Sequence, residues 1–278
     1  MSTPHPGLAE YLKAALLATD AATGALMGRF RSSESSIAGM DLASWEKAPG
    51  ELVTEADMES DEFIKAALSG PLTPGDIYSE EGTLLRGTGG RGGGDRFWLV
   101  DPLCGTRVYA AGLGLFGVSV ALVGPDNKLE LGVVAVPPLK ERMAAVIGRG
   151  VTRNGRPWQA EAPSGRLADV LVGVSAGRFT EEMGDSLGWA AKSAGLLSLG
   201  SAPYGLFQLA VGRLGAQVFY NAGVEHIAAG AAVCAELGVT ITDVNGDALN
   251  WTPGAVFPTA VCAWPSVHPE VLAAIAAS

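Results

Sequence analysis

The amino-acid sequence predicts a layered α/β fold, and two observations predict it: the size of the chain and its pattern of apolar segments. Over residues 163–278, short apolar segments typical of strands alternate with longer amphipathic segments, which is the element order of layered α/β proteins. The chain has 278 residues, of which 48% are hydrophobic and 17% charged. It can therefore bury a substantial core and is too apolar to be disordered. A break near 163–166 predicts two subdomains, 1–162 and 163–278.

Two helices are predicted before the first strand of the core. Apolar residues recur at three- and four-residue spacing over 8–30, which is typical of an amphipathic helix. The segment 51–68 predicts a second helix, and within it Thr54 precedes Asp57 at the spacing of a capping box. A short strand is then predicted over 77–81, and its end carries two acidic residues.

Further strands are predicted on both sides of the break. Before it they cover 97–100, 116–123 and 131–136, with a hairpin turning at Asn154–Gly155. After it, strands at 170–174, 196–199, 216–220 and 239–242 alternate with helices near 181–193, 204–211 and 228–237. The glycine-rich segment 84–95 lacks the GK[ST] ending of a phosphate-binding loop. We expect that segment to be a flexible surface loop.

The charge and the rare residue types narrow the class of function. The chain has 19 Lys and Arg against 29 Asp and Glu, a net charge of -10, which disfavours nucleic acid and anionic membrane surfaces as partners. Three widely spaced Cys and three His exclude a disulfide scaffold and a CxxC zinc module. No targeting segment or apolar stretch of membrane-spanning length is evident, so we expect a cytoplasmic protein. Carboxylates are the most available catalytic groups.

Acidic residues lie at the ends of several predicted elements. They are Asp57 on a helix, Glu80 and Glu81 at a strand end, and Asp101 where a strand meets a proline. If a helix begins after Gly105, its backbone N–H groups favour an anion. Carboxylates converging on such a turn are what Mg²⁺ and a phosphate ester jointly require. Acidic residues that only solvate the surface are the alternative, and spacing alone does not decide between the two.

Six segments, in order, resemble the inositol monophosphatase family of Mg²⁺-dependent phosphatases. They are VTEADMES (53–60), YSEEG (78–82), WLVDPLCGT (98–106), GVSVALV (117–123), GRGVTRNG (148–155) and EHIAAGAAVCAELG (225–238). The resemblance implies an α/β (α+β) fold, the layered αβαβα sandwich of that family. Subdomain 1–162 would carry the metal and phosphate motifs, and subdomain 163–278 would close the cleft. It also implies a homodimer that hydrolyses a small polyol, sugar or nucleotide phosphate by direct in-line attack of water.

The resemblance further implies roles for individual residues. The implied ligands of the first Mg²⁺ are Glu80, Asp101 and the backbone carbonyl of Leu103, with Glu81 as the second acid of a Glu-Glu pair. The residues implied to act on water and phosphate are Asp57, Thr106 and Gly105. Asn221 lies near the position of a hydroxyl-binding acid in inositol-specific members, so the substrate alcohol stays open. Glu225 is a further candidate for substrate binding or for replacing a missing carboxylate.

Two positions depart from the family patterns DPxDGT and WDxAAG. Cys104 and His226 replace aspartates that would bind a second metal ion. In one interpretation the site holds a softer cation such as Zn²⁺, Fe²⁺ or Mn²⁺. In another the second metal is lost, which leaves a slow phosphatase or a binding protein. In a third, a helix N-terminus lowers the pKa of the Cys104 thiol, and the thiol attacks an acyl substrate with His226 as base, oriented by Asp101 or Glu225.

Overall fold

The computed structural model describes residues 7–30, 43–48, 51–70, 75–82, 85, 96–163, 165–176, 184 and 186–278. The helices are α1 (Leu8–Arg29), α2 (Glu55–Leu68), α3 (Thr106–Ala110), α4 (Ala202–Ala210), α5 (Val224–Glu236) and α6 (His268–Ala276). The strands are β1 (Ser44–Ala48), β2 (Glu51–Thr54), β3 (Asp76–Ser79), β4 (Phe97–Cys104), β5 (Gly117–Val123), β6 (Leu129–Val136), β7 (Glu141–Val146), β8 (Val151–Arg153), β9 (Arg156–Trp158), β10 (Leu171–Ala176), β11 (Gly195–Ser198), β12 (Ala216–Gly223), β13 (Thr240–Thr242) and β14 (Val256–Ala263).

A seven-stranded sheet runs in chain order from β3 to β9. Strands β3 and β4 are parallel, and each following neighbour is antiparallel. Successive residues of a strand face opposite sides of a sheet. Accordingly, Trp98 and Val100 of β4 pack with buried residues of α1 and α2, whereas Leu99 packs with residues of α4 and α5. Both faces of this sheet are therefore covered by helices.

A five-stranded sheet has the order β11-β10-β12-β14-β13. Strand β10 is parallel to β11 and β12, while β14 is antiparallel to β12 and β13. Helices α4 and α5 contact strands of both sheets, and α6 packs on β14. The layers are α1 with α2, the first sheet, α4 with α5, the second sheet, and α6. The layered αβαβα sandwich expected from the sequence is confirmed.

Helix α1 shows how the apolar pattern positions an outer layer. Its 22 residues bury one side, including Tyr11, Ala15, Ala18, Ala22 and Leu26. The helix predicted over 8–30 is confirmed to within one residue. The buried face differs from the predicted one, which was drawn through Leu8, Leu12, Leu16, Leu17, Ala21 and Leu26: of these only Leu26 is buried, and Leu17 is 56% exposed. No described helix combines the length and the apolarity needed to span a membrane.

Other predicted elements need correction. Residues 51–54 form β2 rather than the start of a helix, because β2 pairs antiparallel with β1 through Trp45 opposite Val53. Strand β14 and helix α6 were not predicted. Part of the predicted helix 181–193 lies outside the described residues, and Gly188–Lys192 within it forms a 3₁₀ helix. The predicted loop 84–95 lies outside the described residues apart from Leu85, which bridges to Ile77.

Candidate active site

A β-bulge at the end of β4 places Asp101 and Cys104 on one side of the chain. Asp101 pairs with Ser119 and Cys104 pairs with Gly117, so three steps along β4 face two steps along β5. Side chains three residues apart on a regular strand lie on opposite faces. The extra residue in the bulge removes that difference. Asp101 is fully buried, and Cys104 is 7% exposed.

Glu80 and Glu81 follow β3, the parallel neighbour of β4. Ser79 lies opposite Val100, and the Glu80 N–H donates to the Val100 carbonyl at 3.0 Å. This register brings Glu80 beside Asp101. Burial and the Asp101 carboxylate raise the pKa of Glu80 to about 7, and burial and the Glu80 carboxylate raise the pKa of Glu81 to about 7. Crowded carboxylates of this kind favour a cation between them.

Lys47 of β1 contacts this carboxylate pair, which the sequence did not predict. Its Nζ donates to the Glu80 carbonyl at 3.0 Å and lies 3.3 Å from Glu80 Oε1 and 3.5 Å from Glu81 Oε2. Lys47 lies 33 residues before Glu80 in the chain. It reaches the site because β1 pairs with β2, which leads directly into α2. Because this pairing is non-local, spacing in the sequence gave no signal for it.

Asp57 and Thr106 join the start of α2 to the turn after β4. The Thr106 hydroxyl donates to Asp57 Oδ1 at 2.7 Å. Asp57 Oδ2 accepts from the backbone N–H of Thr54 at 2.8 Å and from its hydroxyl at 2.5 Å, which confirms the capping box. Burial raises the pKa of Asp57 to about 6, although the bonds from Thr54 and Thr106 oppose that shift. Asp57 therefore serves the helix cap and Thr106 together.

Gly105 makes the sharp turn between β4 and α3. Its φ is 98°, in the left-handed region that residues other than glycine rarely adopt. A Cβ atom there would lie 3.0 Å from the Gly200 carbonyl oxygen and 3.1 Å from Ser201 Cβ. The backbone of the turn thus packs directly against the segment that leads into α4. The helix start expected after Gly105 is present, in a helix of five residues.

The side chains of Cys104, His226 and Asp101 lie close together. His226 Nδ1 is 2.5 Å from Asp101 Oδ2, 4.0 Å from Cys104 Sγ and 3.9 Å from Glu80 Oε2. Burial opposes protonation of His226, but the Asp101 carboxylate outweighs it, and the pKa of His226 lies well above its ordinary value. The histidine is positioned by the first turn of α5, which directly follows β12.

The pKa of the Cys104 thiol shifts in the direction opposite to the one expected from the sequence. Burial, followed by the Asp101 carboxylate, raises its pKa to about 12, whereas a helix N-terminus was expected to lower it. The N–H of Ala202, at the start of α4, donates to Cys104 Sγ at 3.3 Å. This contact does not offset the loss of solvation. The surroundings of Cys104 in the folded chain thus favour the thiol form over the thiolate expected from the sequence.

Asp101 shows that the residues present fit a divalent cation. Its Oδ1 atom is buried and has no hydrogen-bond partner among the described residues. A buried unpaired carboxylate oxygen is costly, and a bound cation removes that cost. The nearby Glu80 carboxylate and backbone carbonyls are the oxygen ligands that Mg²⁺ prefers. The chemistry of the site is therefore suited to a hard cation beside Asp101.

The other predicted site residues lie as follows. Leu103 is buried, and its carbonyl lies 3.2 Å from the Thr106 hydroxyl. Glu225 is in the first turn of α5, where its backbone carbonyl accepts from Ser119 Oγ at 3.2 Å. Asn221 is exposed on β12 with a φ of 46°. Cys234 and Cys262 are buried in the core, as expected for structural cysteines.

A profile of the inositol monophosphatase family matches residues 8–278. The chain belongs to the inositol monophosphatase family. Among curated relatives, Nus factor SuhB of Pseudomonas aeruginosa is 33% identical over 224 residues, which cover 76% of this chain and 79% of SuhB. Inositol-1-monophosphatase of Mesorhizobium japonicum is 31% identical, with 72% of this chain and 75% of the relative covered. Family membership places the chain among metal-dependent phosphatases at family level and leaves the substrate open.

Solved structures share the fold of this inositol monophosphatase family member. The extragenic suppressor protein suhB of Bartonella henselae aligns with a TM-score of 0.82 at 23% identity, covering 95% of this chain and 98% of that chain. An IMPase/NADP phosphatase complexed with Mg²⁺ and phosphate aligns with a TM-score of 0.72 at 21% identity, covering 86% and 88%. At these identities the likeness concerns the fold alone.

Proposed function

We propose that this protein is a metal-dependent phosphomonoesterase that hydrolyses a small polyol, sugar or nucleotide phosphate by direct in-line attack of water. The observation that carries the proposal is the convergence at the end of β4. Asp101, whose Oδ1 has no hydrogen-bond partner in the described part of the chain, lies next to Glu80, and Thr106, five residues later, is hydrogen-bonded to Asp57. Asp101 and Thr106 thus come from β4 and the turn after it, and they meet Glu80 from the end of β3 and Asp57 from the first turn of α2.

Glu80, Asp101 and the Leu103 carbonyl are the residues that would hold Mg²⁺, with Glu81 as an additional carboxylate. When bound, the ion supplies positive charge that offsets the charge of the phosphoryl oxygens and favours ionisation of water. The oxygen donors and the carboxylate crowding around Glu80 support this assignment. Lys47 partly neutralises the same carboxylates by contacts to Glu80 and Glu81.

Thr106 and Asp57 would orient the attacking water. The Thr106 hydroxyl donates its proton to Asp57 Oδ1, so its oxygen lone pairs are left to accept a proton from water. Asp57 is held rigidly by the backbone N–H and hydroxyl of Thr54. Such a fixed acceptor chain aligns the water with phosphorus and receives a share of its proton, as general-base catalysis requires. Backbone N–H groups of the turn at Gly105 would contact the phosphate.

The experiment that tests the proposal is hydrolysis of a panel of phosphate esters by the full chain. Purified protein stripped of metal and supplied with Mg²⁺ or Mn²⁺ is assayed for release of inorganic phosphate from polyol, sugar and nucleotide phosphates. We expect turnover of at least one class and loss of that turnover in Asp101→Asn, because the variant removes a charged ligand. Labelled oxygen from H₂¹⁸O should enter the phosphate in a single turnover, which direct attack by water requires.

A matched control separates the site from general effects of charge. Asp126→Asn removes a carboxylate from the exposed turn between β5 and β6 and should leave turnover unchanged. Absence of turnover with every substrate and both metals, in protein with a normal thermal unfolding transition, would overturn the proposal and favour a binding protein. The homodimer and the cytoplasmic location expected from the sequence stay predictions.

A further inference from the structure

Asp101, Cys104 and His226 form a second group of potential metal-binding side chains, here called the Asp–Cys–His group. One carboxylate oxygen, the cysteine Sγ and one histidine nitrogen all lie within 4.8 Å of one another. The β-bulge brings Asp101 and Cys104 to one side of β4, and the start of α5 supplies His226. One oxygen, one sulfur and one nitrogen donor atom therefore lie close enough together to bind a single cation.

The orientation of the imidazole ring fits a metal ligand. Nδ1 faces Asp101 Oδ2 at 2.5 Å and Cys104 Sγ at 4.0 Å, so Nδ1 is the nitrogen available to a cation between them. Nε2 lies 3.6 Å from Glu225 Oε1. Histidines that bind metals generally direct their second nitrogen to a carboxylate or carbonyl, which fixes the ring and its tautomer. The Glu225 carboxylate lies on that side of the ring, slightly beyond hydrogen-bond length from Nε2.

The sulfur and the carboxylate are also placed as ligands. The Ala202 N–H donates to Cys104 Sγ at 3.3 Å, and a donor directed at sulfur stabilises a thiolate bound to a cation. Asp101 Oδ1 is buried without a partner among the described residues. One Asp101 oxygen can thus bind a cation held by the Asp–Cys–His group, and the other can bind a cation held by the oxygen ligands around Glu80.

We propose that the Asp–Cys–His group binds a borderline-soft divalent cation of the Zn²⁺ type in preference to Mg²⁺. Thiolate and imidazole select such cations, whereas Mg²⁺ requires oxygen ligands. Three protein ligands leave a fourth position open, as in zinc sites that act on substrates. Binding forms an S–Zn bond, breaks the S–H bond and releases the proton to solvent. The role of this ion in turnover rests on the proposed function, but its binding does not.

The experiment uses Co²⁺ as a spectroscopic probe of the metal-stripped full chain. Thiolate bound to Co²⁺ gives a charge-transfer absorption band in the near ultraviolet that oxygen and nitrogen ligands do not give. We expect one equivalent of Co²⁺ to produce this band and Zn²⁺ to abolish it by displacement. Mg²⁺ at the same concentration should leave the band in place.

Variants connect the band to individual residues. Cys104→Ser should eliminate the band, whereas Cys262→Ser, which changes a cysteine buried elsewhere in the core, should retain it. Glu225→Gln should keep the band and weaken Zn²⁺ binding about 10–100-fold, as for other residues that orient a ligand. The double variant Cys104→Asp, His226→Asp should lose the preference for Zn²⁺ over Mg²⁺. Circular dichroism verifies that each variant folds. If the double variant does not fold, His226→Gln is used in its place to test the preference for Zn²⁺ over Mg²⁺.

The results that overturn the inference are distinct from failure of the proposed function. A wild-type protein without the charge-transfer band, or a band that persists in Cys104→Ser, contradicts the Asp–Cys–His site even if Mg²⁺ supports hydrolysis. Conversely, the band can be present in a protein that hydrolyses no phosphate ester. That outcome sustains the metal site and overturns the phosphatase proposal alone.

Discussion

The Thr106 hydroxyl donates to Asp57 Oδ1 across 2.7 Å and so links the first turn of α3 to the first turn of α2. The bond joins residues 49 positions apart in the chain. It supports both the local structure and the proposed activation of water.

Replacing Thr106 by valine keeps the side-chain shape and removes the hydroxyl. We expect kcat for phosphate ester hydrolysis to fall about 10²–10⁴-fold, the usual contribution of a positioned proton acceptor. Unfolding in urea should show a loss of about 1–3 kcal/mol, because Asp57 loses a donor while staying buried. Thr106→Ser retains the hydroxyl and should keep most of the activity. A folded valine variant with unchanged kcat contradicts the assigned role.

Asp57→Asn should change the pH dependence of stability. Burial raises the folded-state pKa of Asp57 to about 6 from 3.8, so the folded protein binds more protons than the unfolded chain between these values. The stability from this group is complete below about pH 4 and is lost as the pH rises through 6. The wild type should lose up to about 3 kcal/mol relative to the asparagine variant over that range. Parallel stability curves measured by urea unfolding from pH 4 to pH 7, with chelator present, would refute this account.

Gly105→Ala should disrupt the turn between β4 and α3. The φ of 98° costs a residue with Cβ about 1–2 kcal/mol, and a Cβ atom would also lie 3.0 Å from the Gly200 carbonyl oxygen. Gly238→Ala is the matched control, because Gly238 has a φ of 89° with open space around it. We expect a greater loss of stability in Gly105→Ala than in Gly238→Ala. Equal losses by thermal unfolding mean that the turn has room to adjust.

Glu80→Gln should stabilise the protein when metal is absent. Burial and the Asp101 carboxylate raise the pKa of Glu80 to about 7, so its ionised form destabilises the fold at pH 8. In chelator at pH 8 we expect a Tm about 2–4 °C higher than wild type, equivalent to about 1 kcal/mol. Adding Mg²⁺ should raise the Tm of the wild type but not of the variant. A variant that Mg²⁺ stabilises equally well removes Glu80 from the ligand set.

Iodoacetamide should label Cys104 slowly in metal-free protein. A thiol pKa of about 12 leaves about one thiolate in 10⁴ molecules at pH 8, and the thiolate is the reactive form. Mass spectrometry of peptides resolves Cys104 from the two core cysteines. Fast labelling with a midpoint near neutral pH, together with loss of activity, supports instead the acyl-transfer chemistry considered from the sequence.

Local patterns predicted the elements whose formation depends on neighbouring residues. The spacing of apolar residues predicted α1, and the pair Thr54 and Asp57 predicted the cap of α2. The Asn154–Gly155 pair predicted the turn between β8 and β9. In each case the decisive interactions span only a few residues, so the sequence pattern contains them directly.

Interactions between distant segments were not predictable in the same way. The sequence 51–54 was assigned to a helix because its pairing with β1 depends on a separate segment. Lys47 reaches Glu80 through the same pairing. Motif order placed Cys104 and His226 in one site by resemblance, but the direction of the Cys104 pKa shift depends on how completely the folded chain excludes water. That degree of burial is a property of packing, which spacing does not encode.

The bulge between Asp101 and Cys104 separates the identity of the bound ion from the stability of the sheet. The strand continues its pairing with β5 on both sides of the extra residue, so a substitution at position 104 alters the donor atom and leaves the ladder of hydrogen bonds intact. Deleting one residue of the bulge would instead turn position 104 to the other face and away from Asp101. Substitutions at a single position can thus retune the metal preference of this scaffold, whereas a one-residue deletion removes the site.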